Sequence, residues 1–152
     1  MKILGIDPGY DRCGFAVLDG EDLVTFGTMV TDRKQDFSSR LAELADDFQA
    51  LLKKHEPDVV SIEDLFFGQN VTTGLKVAEA RGVMLYLAQK FGCRVYEPKP
   101  VEIKQSFTGN GKATKAEMKK MCCLQFGMED VPKIDDAADA IGAAMWASRV
   151  RF

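Results

Sequence analysis

Lys2-Ile3-Leu4-Gly5-Ile6-Asp7-Pro8-Gly9 decides how the rest of the chain is read. A short apolar run is stopped by Asp7, Pro8 and Gly9, and Pro and Gly favour turns. The segment therefore predicts a strand over Lys2 to Ile6 that delivers an acidic side chain at its end. Two more strand-like runs follow, Cys13 to Leu18 and Leu23 to Val30, with Asp19-Gly20 between them as a type I′ hairpin signal. The three runs predict an antiparallel meander.

Beyond the meander the period changes. Leu41, Leu44, Ala45, Phe48, Leu51 and Leu52 recur at helical spacing, which predicts an amphipathic helix from Ser38 to about His55, closed by Pro57. Val59 to Ile62 is a compact strand, Thr72 or Thr73 to Phe91 a second helix ended by Gly92, and Arg94 to Tyr96 a short strand before Pro98 and Pro100. Helices are expected near Val101 to Phe107 and Thr114 to Phe126, with a last one from about Asp135 to Arg149. This order predicts an α/β fold with a mixed five-stranded sheet, three antiparallel strands and then β-α-β crossovers, flanked by helices. With 152 residues and no repeat or linker-like tract, residues 1–152 are expected to form one domain.

Composition removes several function classes. No run of ~18 apolar residues is present and Met1 leads directly into a strand-like segment, so a cytoplasmic protein without signal peptide or membrane segment is expected. Cys13, Cys93, Cys122 and Cys123 lack CxxC spacing, and the single histidine, His55, is distant from them in sequence. Buried or semi-buried free thiols are expected, with His55 as a cation at a helix C-terminus; serine-protease and zinc-hydrolase readings lose their usual participants. The formal net charge of −3 is unhelpful for binding nucleic acid. Between Pro98 and Met121, however, Lys99, Lys104, Lys112, Lys115, Lys119 and Lys120 face only Glu102 and Glu117.

The acidic residues carry the chemistry. Asp7 closes the first strand, Glu63 closes the fourth in Val59-Val60-Ser61-Ile62-Glu63, and Asp136 and Asp139 stand three apart in an alanine-rich helical segment, a spacing that shares a helix face. Gathered carboxylates repel one another and resist desolvation unless a cation sits among them. Mg²⁺ or Mn²⁺ is the natural choice, because hard cations take oxygen ligands and leave positions for water and phosphate. Two such ions would support in-line phosphodiester hydrolysis. Each acid taken singly could instead end a strand or cap a helix, with Asp135 or Asp136 as an N-cap.

At this point Ile3-Leu4-Gly5-Ile6-Asp7-Pro8-Gly9, Ile62-Glu63-Asp64-Leu65-Phe66, Ala78-Glu79-Ala80-Arg81-Gly82-Val83 and Asp136-Ala137-Ala138-Asp139-Ala140 resemble, in order and spacing, the signatures of RuvC Holliday junction resolvases. The resemblance implies an RNase H-like fold, a homodimer, two Mg²⁺ per active site with Mn²⁺ as substitute, and paired incisions across four-way junction DNA. It implies Asp7, Glu63, Asp136 and Asp139 as catalytic and metal-binding acids. It implies Lys104 and Lys115 as lysines serving DNA contact and catalysis, with Lys112 in the loop Gly109-Asn110-Gly111-Lys112 between them. It also implies Phe66 as an aromatic that stacks on unpaired bases, and the helix from Thr72 to Phe91 as the dimer interface. A branch-migration pair of RuvA and RuvB type is a candidate partner. Read from the residues alone, Phe66 would be a core aromatic and the lysines a solvated face. Two departures stand out: Tyr10 occupies a position where a small polar residue is more usual, and Asp135 beside Asp136 leaves the register of the acidic pair open.

Three other readings compete. An actin-like ATPase or sugar kinase also uses an Asp-x-Gly turn, but needs a second domain half that 152 residues do not hold. A junction-binding scaffold has no use for clustered carboxylates. A related RNase H-like nuclease acting on RNA or ordinary duplex stays open, because metal chemistry at a phosphate does not choose the nucleic acid.

Overall fold

The structure, a computed structural model, describes residues 1–65, 71–130 and 132–150. Strands β1 (Lys2–Asp7), β2 (Arg12–Asp19) and β3 (Asp22–Val30) form the antiparallel meander, followed by α1 (Phe37–His55), β4 (Val59–Ile62), α2 (Val71–Lys90) and β5 (Arg94–Tyr96). The rest is α3 (Pro100–Thr108), α4 (Lys115–Phe126), a 3₁₀ turn at Pro132–Ile134 and α5 (Ala138–Arg149). The sheet order is β3-β2-β1-β4-β5, with β1 antiparallel to β2 and parallel to β4. This is the mixed five-stranded α/β arrangement expected from the sequence.

Alternation along the strands assigns each residue to a layer. Leu4, Ile6, Val17, Val60 and Ile62 pack with Leu44, Phe48 and Leu52 of α1 and Ala80, Met84 and Ala88 of α2. Ile3, Ala16, Leu18 and Val59 face the opposite layer, with Ile103 and Phe107 of α3, Met118 of α4, and Ala140, Ile141 and Ala144 of α5. Each large aliphatic side chain so buried is worth about 1.5–3 kcal/mol. By the same alternation Gly5 and Asp7 of β1, Gly14 of β2 and Glu63 after β4 share the α5 face.

Two local expectations are corrected. The β2–β3 turn pairs Asp19 with Asp22, so its central residues are Gly20 and Glu21. Gly20 has φ +63°, and Glu21 is not among the residues with positive φ, so the turn is not type I′. The last helix begins at Ala138, not at Asp135. Ala137 is its N-cap, with Ile141 N–H donating to the Ala137 carbonyl at 2.8 Å, and neither Asp135 nor Asp136 caps it. Asp135 and Asp136 are drawn away by separate partners.

The other caps follow their sequences. Asp36 accepts from Ser39 N–H at the start of α1, and Thr114 with Glu117 forms a capping box at the start of α4. Cys13, Cys93 and Cys122 are buried free thiols, and burial pushes Cys13 and Cys122 up to about 12. His55 sits in the last turn of α1, where burial and then Lys54 and Lys2 lower its pKa.

Candidate active site

β1 and β4 are parallel neighbours in register Ile6↔Ile62, and Glu63 N–H donates to the Ile6 carbonyl at 3.0 Å. The residues that follow, Asp7 and Glu63, therefore emerge side by side at one end of the sheet. The two carboxyls act on each other, and both are pushed upward. Burial first, then the charge of Asp139, raises Asp7 to about 6. Burial, then Asp7 and Asp139, raises Glu63 to about 8. Such a pair is short of positive charge.

The third acid arrives because two glycines let α5 reach the sheet. A Cβ on Gly5 would lie 2.1 Å from the Ala140 carbonyl and 2.7 Å from Ala144 N, and one on Gly14 would lie 2.1 Å from the Asp136 carbonyl. Gly14 is paired with Asp7. The missing side chains bring the first turn of α5, carrying Asp139, and the preceding turn, carrying Asp136, against the strand ends. Asp139 lies in the first turn of α5, at the positive end of the helix dipole.

Asp136 is held differently. Its Oδ2 accepts from Arg12 Nε at 3.1 Å and Nη2 at 2.5 Å, although its charge still acts on Asp7. Asp135 is turned to Lys119 at 2.5 Å, and Lys119 also meets Asp130 at 2.6 Å. Of the two adjacent acids, Asp136 is the one that faces the strand-end pair. Among the described residues no three acidic, histidine or cysteine side chains already stand at metal-coordinating spacing. Ligation by Asp136 would require it to exchange Arg12 for the ion.

Two of the expected lysines join the acids. Lys115, at the start of α4, lowers the pKa of Asp7, and Lys104, on α3, lowers that of Glu63. Lys112 is exposed in the α3–α4 loop, its backbone N–H bonded to Asn110 Oδ1 at 3.0 Å, and acts on neither carboxylate. Lys99 and Lys104 line a cleft of about 490 Å³ with Asp64, Leu65, Pro100, Val101 and Gly111. Phe66 lies outside the described residues.

Several neighbours of the site carried no assigned role in the sequence. Tyr10 stacks edge-on against Phe37 at 5.5 Å under the Arg40 guanidinium at 4.9 Å, and Arg40 also meets Asp11 and donates to Thr31 Oγ1 at 3.0 Å. The bulky Tyr10 is thus packing for the loop after Asp7. Arg12 carried no reading in the sequence, and Arg81 was legible only as one residue of the Ala78 to Val83 motif.

Comparison with known proteins agrees with this geometry. The family model described as Crossover junction endodeoxyribonuclease RuvC matches residues 3–146. A relative with that description from Brevibacillus brevis is 41% identical, over 99% of this chain and 93% of its own length. One from Thermosipho melanesiensis is 39% identical, over 95% and 94%. The solved structure of Thermus thermophilus RuvC matches with a TM-score of 0.85 at 27% identity, covering 96% of this chain and 92% of that one, and the structure described as T. thermophilus RuvC in complex with Holliday junction substrate gives the same values. The yeast mitochondrial Holliday junction resolvase Ydc2 shares the fold, with a TM-score of 0.70 at 18% identity. The fold is RNase H-like, and the chain belongs to the RuvC family of crossover junction endodeoxyribonucleases.

Proposed function

We propose that this chain, as one RNase H-like domain and a homodimer, resolves four-way (Holliday) DNA junctions by paired, Mg²⁺-dependent phosphodiester hydrolysis. The observation that carries the reading is the meeting of Asp7, Glu63 and Asp139 on one face of the sheet with Lys115 and Lys104 beside them.

The donor set is all oxygen, and burial with mutual repulsion makes it favour added positive charge, so the residues fit a hard divalent ion. Asp7, Glu63, Asp136 and Asp139 would hold two Mg²⁺, with Mn²⁺ able to substitute. Ions held there would supply Lewis-acid polarisation of a phosphate and a lowered pKa for a bound water. The remaining work falls to side chains. Lys115 partly offsets the upward push of burial on Asp7, Lys104 does the same at Glu63, and both offer charge to an incoming phosphate. Lys112 reaches the DNA backbone from its exposed loop, and Phe66 takes unpaired bases at the open centre of the junction. RuvA- and RuvB-type proteins are candidate partners for the assembled reaction.

The test is a labelled synthetic four-way junction beside linear duplex, in Mg²⁺ and in EDTA. Symmetric paired nicks confined to the junction and to Mg²⁺ are expected. Asp7→Asn should abolish cleavage and retain junction binding, and Phe66→Leu should lose junction cleavage more than duplex nicking, since stacking is worth roughly 1–3 kcal/mol per base. Equal cleavage of duplex and junction would instead indicate a general RNase H-like nuclease.

A further inference from the structure

Glu63 lies one residue beyond β4, where the ladder with β1 runs out. In a parallel pair, a residue whose N–H bonds one partner carbonyl has its own carbonyl met by the N–H two residues further along the partner strand. Glu63 N–H takes the Ile6 carbonyl, so the donor due at the Glu63 carbonyl belongs to Pro8, which has no N–H. The vacant donor position is filled from α2: Arg81 Nε donates to the Glu63 carbonyl at 3.1 Å.

The guanidinium is itself fixed. Its Nη2 pairs with Glu97 and stands 3.5 Å from Asp64 Oδ1, and its side chain is only 11% exposed. Asp64 N–H is held by the Pro98 carbonyl at 2.8 Å, and Asp64 Oδ1 accepts from Leu65 N–H at 2.9 Å. The backbone that presents Glu63 is thereby pinned on β1, on the segment after β5 and on α2. We infer that Arg81 is a positioning residue for the metal site, completing the β1–β4 ladder at the carbonyl of Glu63 and fixing where that carboxylate stands. The inference rests on the metal-site reading above. Supporting partners of a metal ligand typically account for 10–100-fold in metal affinity.

The experiment is calorimetric titration of the full chain with Mg²⁺, alongside melting in EDTA, for Arg81→Lys, Arg81→Gln, Glu97→Gln and Glu63→Gln. Lysine keeps the charge between Glu97 and Asp64 but cannot reproduce the fork. Arg81→Lys is expected to fold, to weaken Mg²⁺ binding about ten-fold, and to regain junction cleavage at correspondingly higher Mg²⁺. Glu97→Gln, which loosens the far end of Arg81, should weaken Mg²⁺ in the same direction by less. If Arg81→Gln does not fold, Arg81→Lys and Glu97→Gln decide. A lower melting temperature with unchanged Mg²⁺ affinity in these variants makes Arg81 a plain structural tie and overturns the inference. If Glu63→Gln itself binds Mg²⁺ like the parent, the metal-site reading fails first and the role of Arg81 falls with it.

Discussion

Asp7 and Glu63 give the fold a proton that the unfolded chain would release. Folding raises them from 3.8 to about 6 and from 4.5 to about 8. Their contribution to stability is complete below the unfolded values and is lost as pH rises through the folded ones. In EDTA the melting temperature should therefore fall between about pH 5 and pH 8. Glu63→Gln, which cannot ionise, should flatten that decline, and Mg²⁺ should reduce it by supplying charge in place of the proton. Scanning fluorimetry across that range checks this; a Glu63→Gln profile parallel to the parent's would place the pH dependence elsewhere. The adjacent acids separate just as sharply. Asp135→Asn loses an ion pair whose acid is 57% exposed, worth less than about 1 kcal/mol, and should keep cleavage. Asp136→Asn should lose it by more than ten-fold. The reverse result in a cleavage assay would shift the ligand by one residue.

At the level of elements, the site depends on how closely α5 lies on β1 and β2. Gly5→Ala puts a methyl 2.1 Å from the Ala140 carbonyl and 2.8 Å from the Ala144 Cβ, so the helix has to move outward. Overpacking of this kind costs typically 1–3 kcal/mol. Because α5 carries Asp139, cleavage should fall along with stability. Asp36→Ala is the matched control: it removes the N-cap of α1, costs about 1 kcal/mol, and touches nothing at the strand ends. Urea denaturation should find both variants destabilised, while junction cleavage below the melting temperature should be retained only by Asp36→Ala. Equal activity in the two would mean that the α5–sheet distance does not set the site.

For the whole molecule, a net charge of −3 leaves DNA binding to local basic surface. Lys112 is exposed, whereas Lys119 is committed to Asp130 and Asp135. Lys112→Ala should reduce the slope of log affinity for a four-way junction against log salt by about 1, and Lys119→Ala should leave it unchanged. Binding isotherms at several salt concentrations distinguish the two; equal slopes would take Lys112 off the DNA. Paired incision needs two sites, and a two-fold dimer supplies them. Leu75 and Tyr86 of α2 are 54% and 60% exposed, apolar surface on the helix that the family resemblance implies as the dimer interface. Light scattering should find two copies in the parent, and one in Tyr86→Glu; an unchanged dimer would move the interface off α2. Among the described residues no helix is long and apolar enough to cross a membrane.

The sequence by itself determined the elements and the two strand-end acids. Strand alternation and helical period are local properties of the chain, and a Pro-Gly turn after Asp7 or an apolar run before Glu63 is visible without knowing what lies next to it. The family likeness was legible for the same reason, since its motifs are contiguous. Tertiary structure alone decided the rest. That the charge of Asp136 acts on Asp7 even while Arg12, 124 residues away, holds its carboxylate, and that Lys119 pulls Asp135 aside, are set by distant partners. The late start of α5 follows from the same competition and from the seating of the Asp136 carbonyl against Gly14. Tyr10 became packing, and Arg81 a donor to Glu63, only once α1 and α2 lay against the end of the sheet. Local periodicity records which face of an element is buried; it carries no information about which distant side chain will be there to meet it, because that is fixed by strand order and by the close approaches that missing side chains allow.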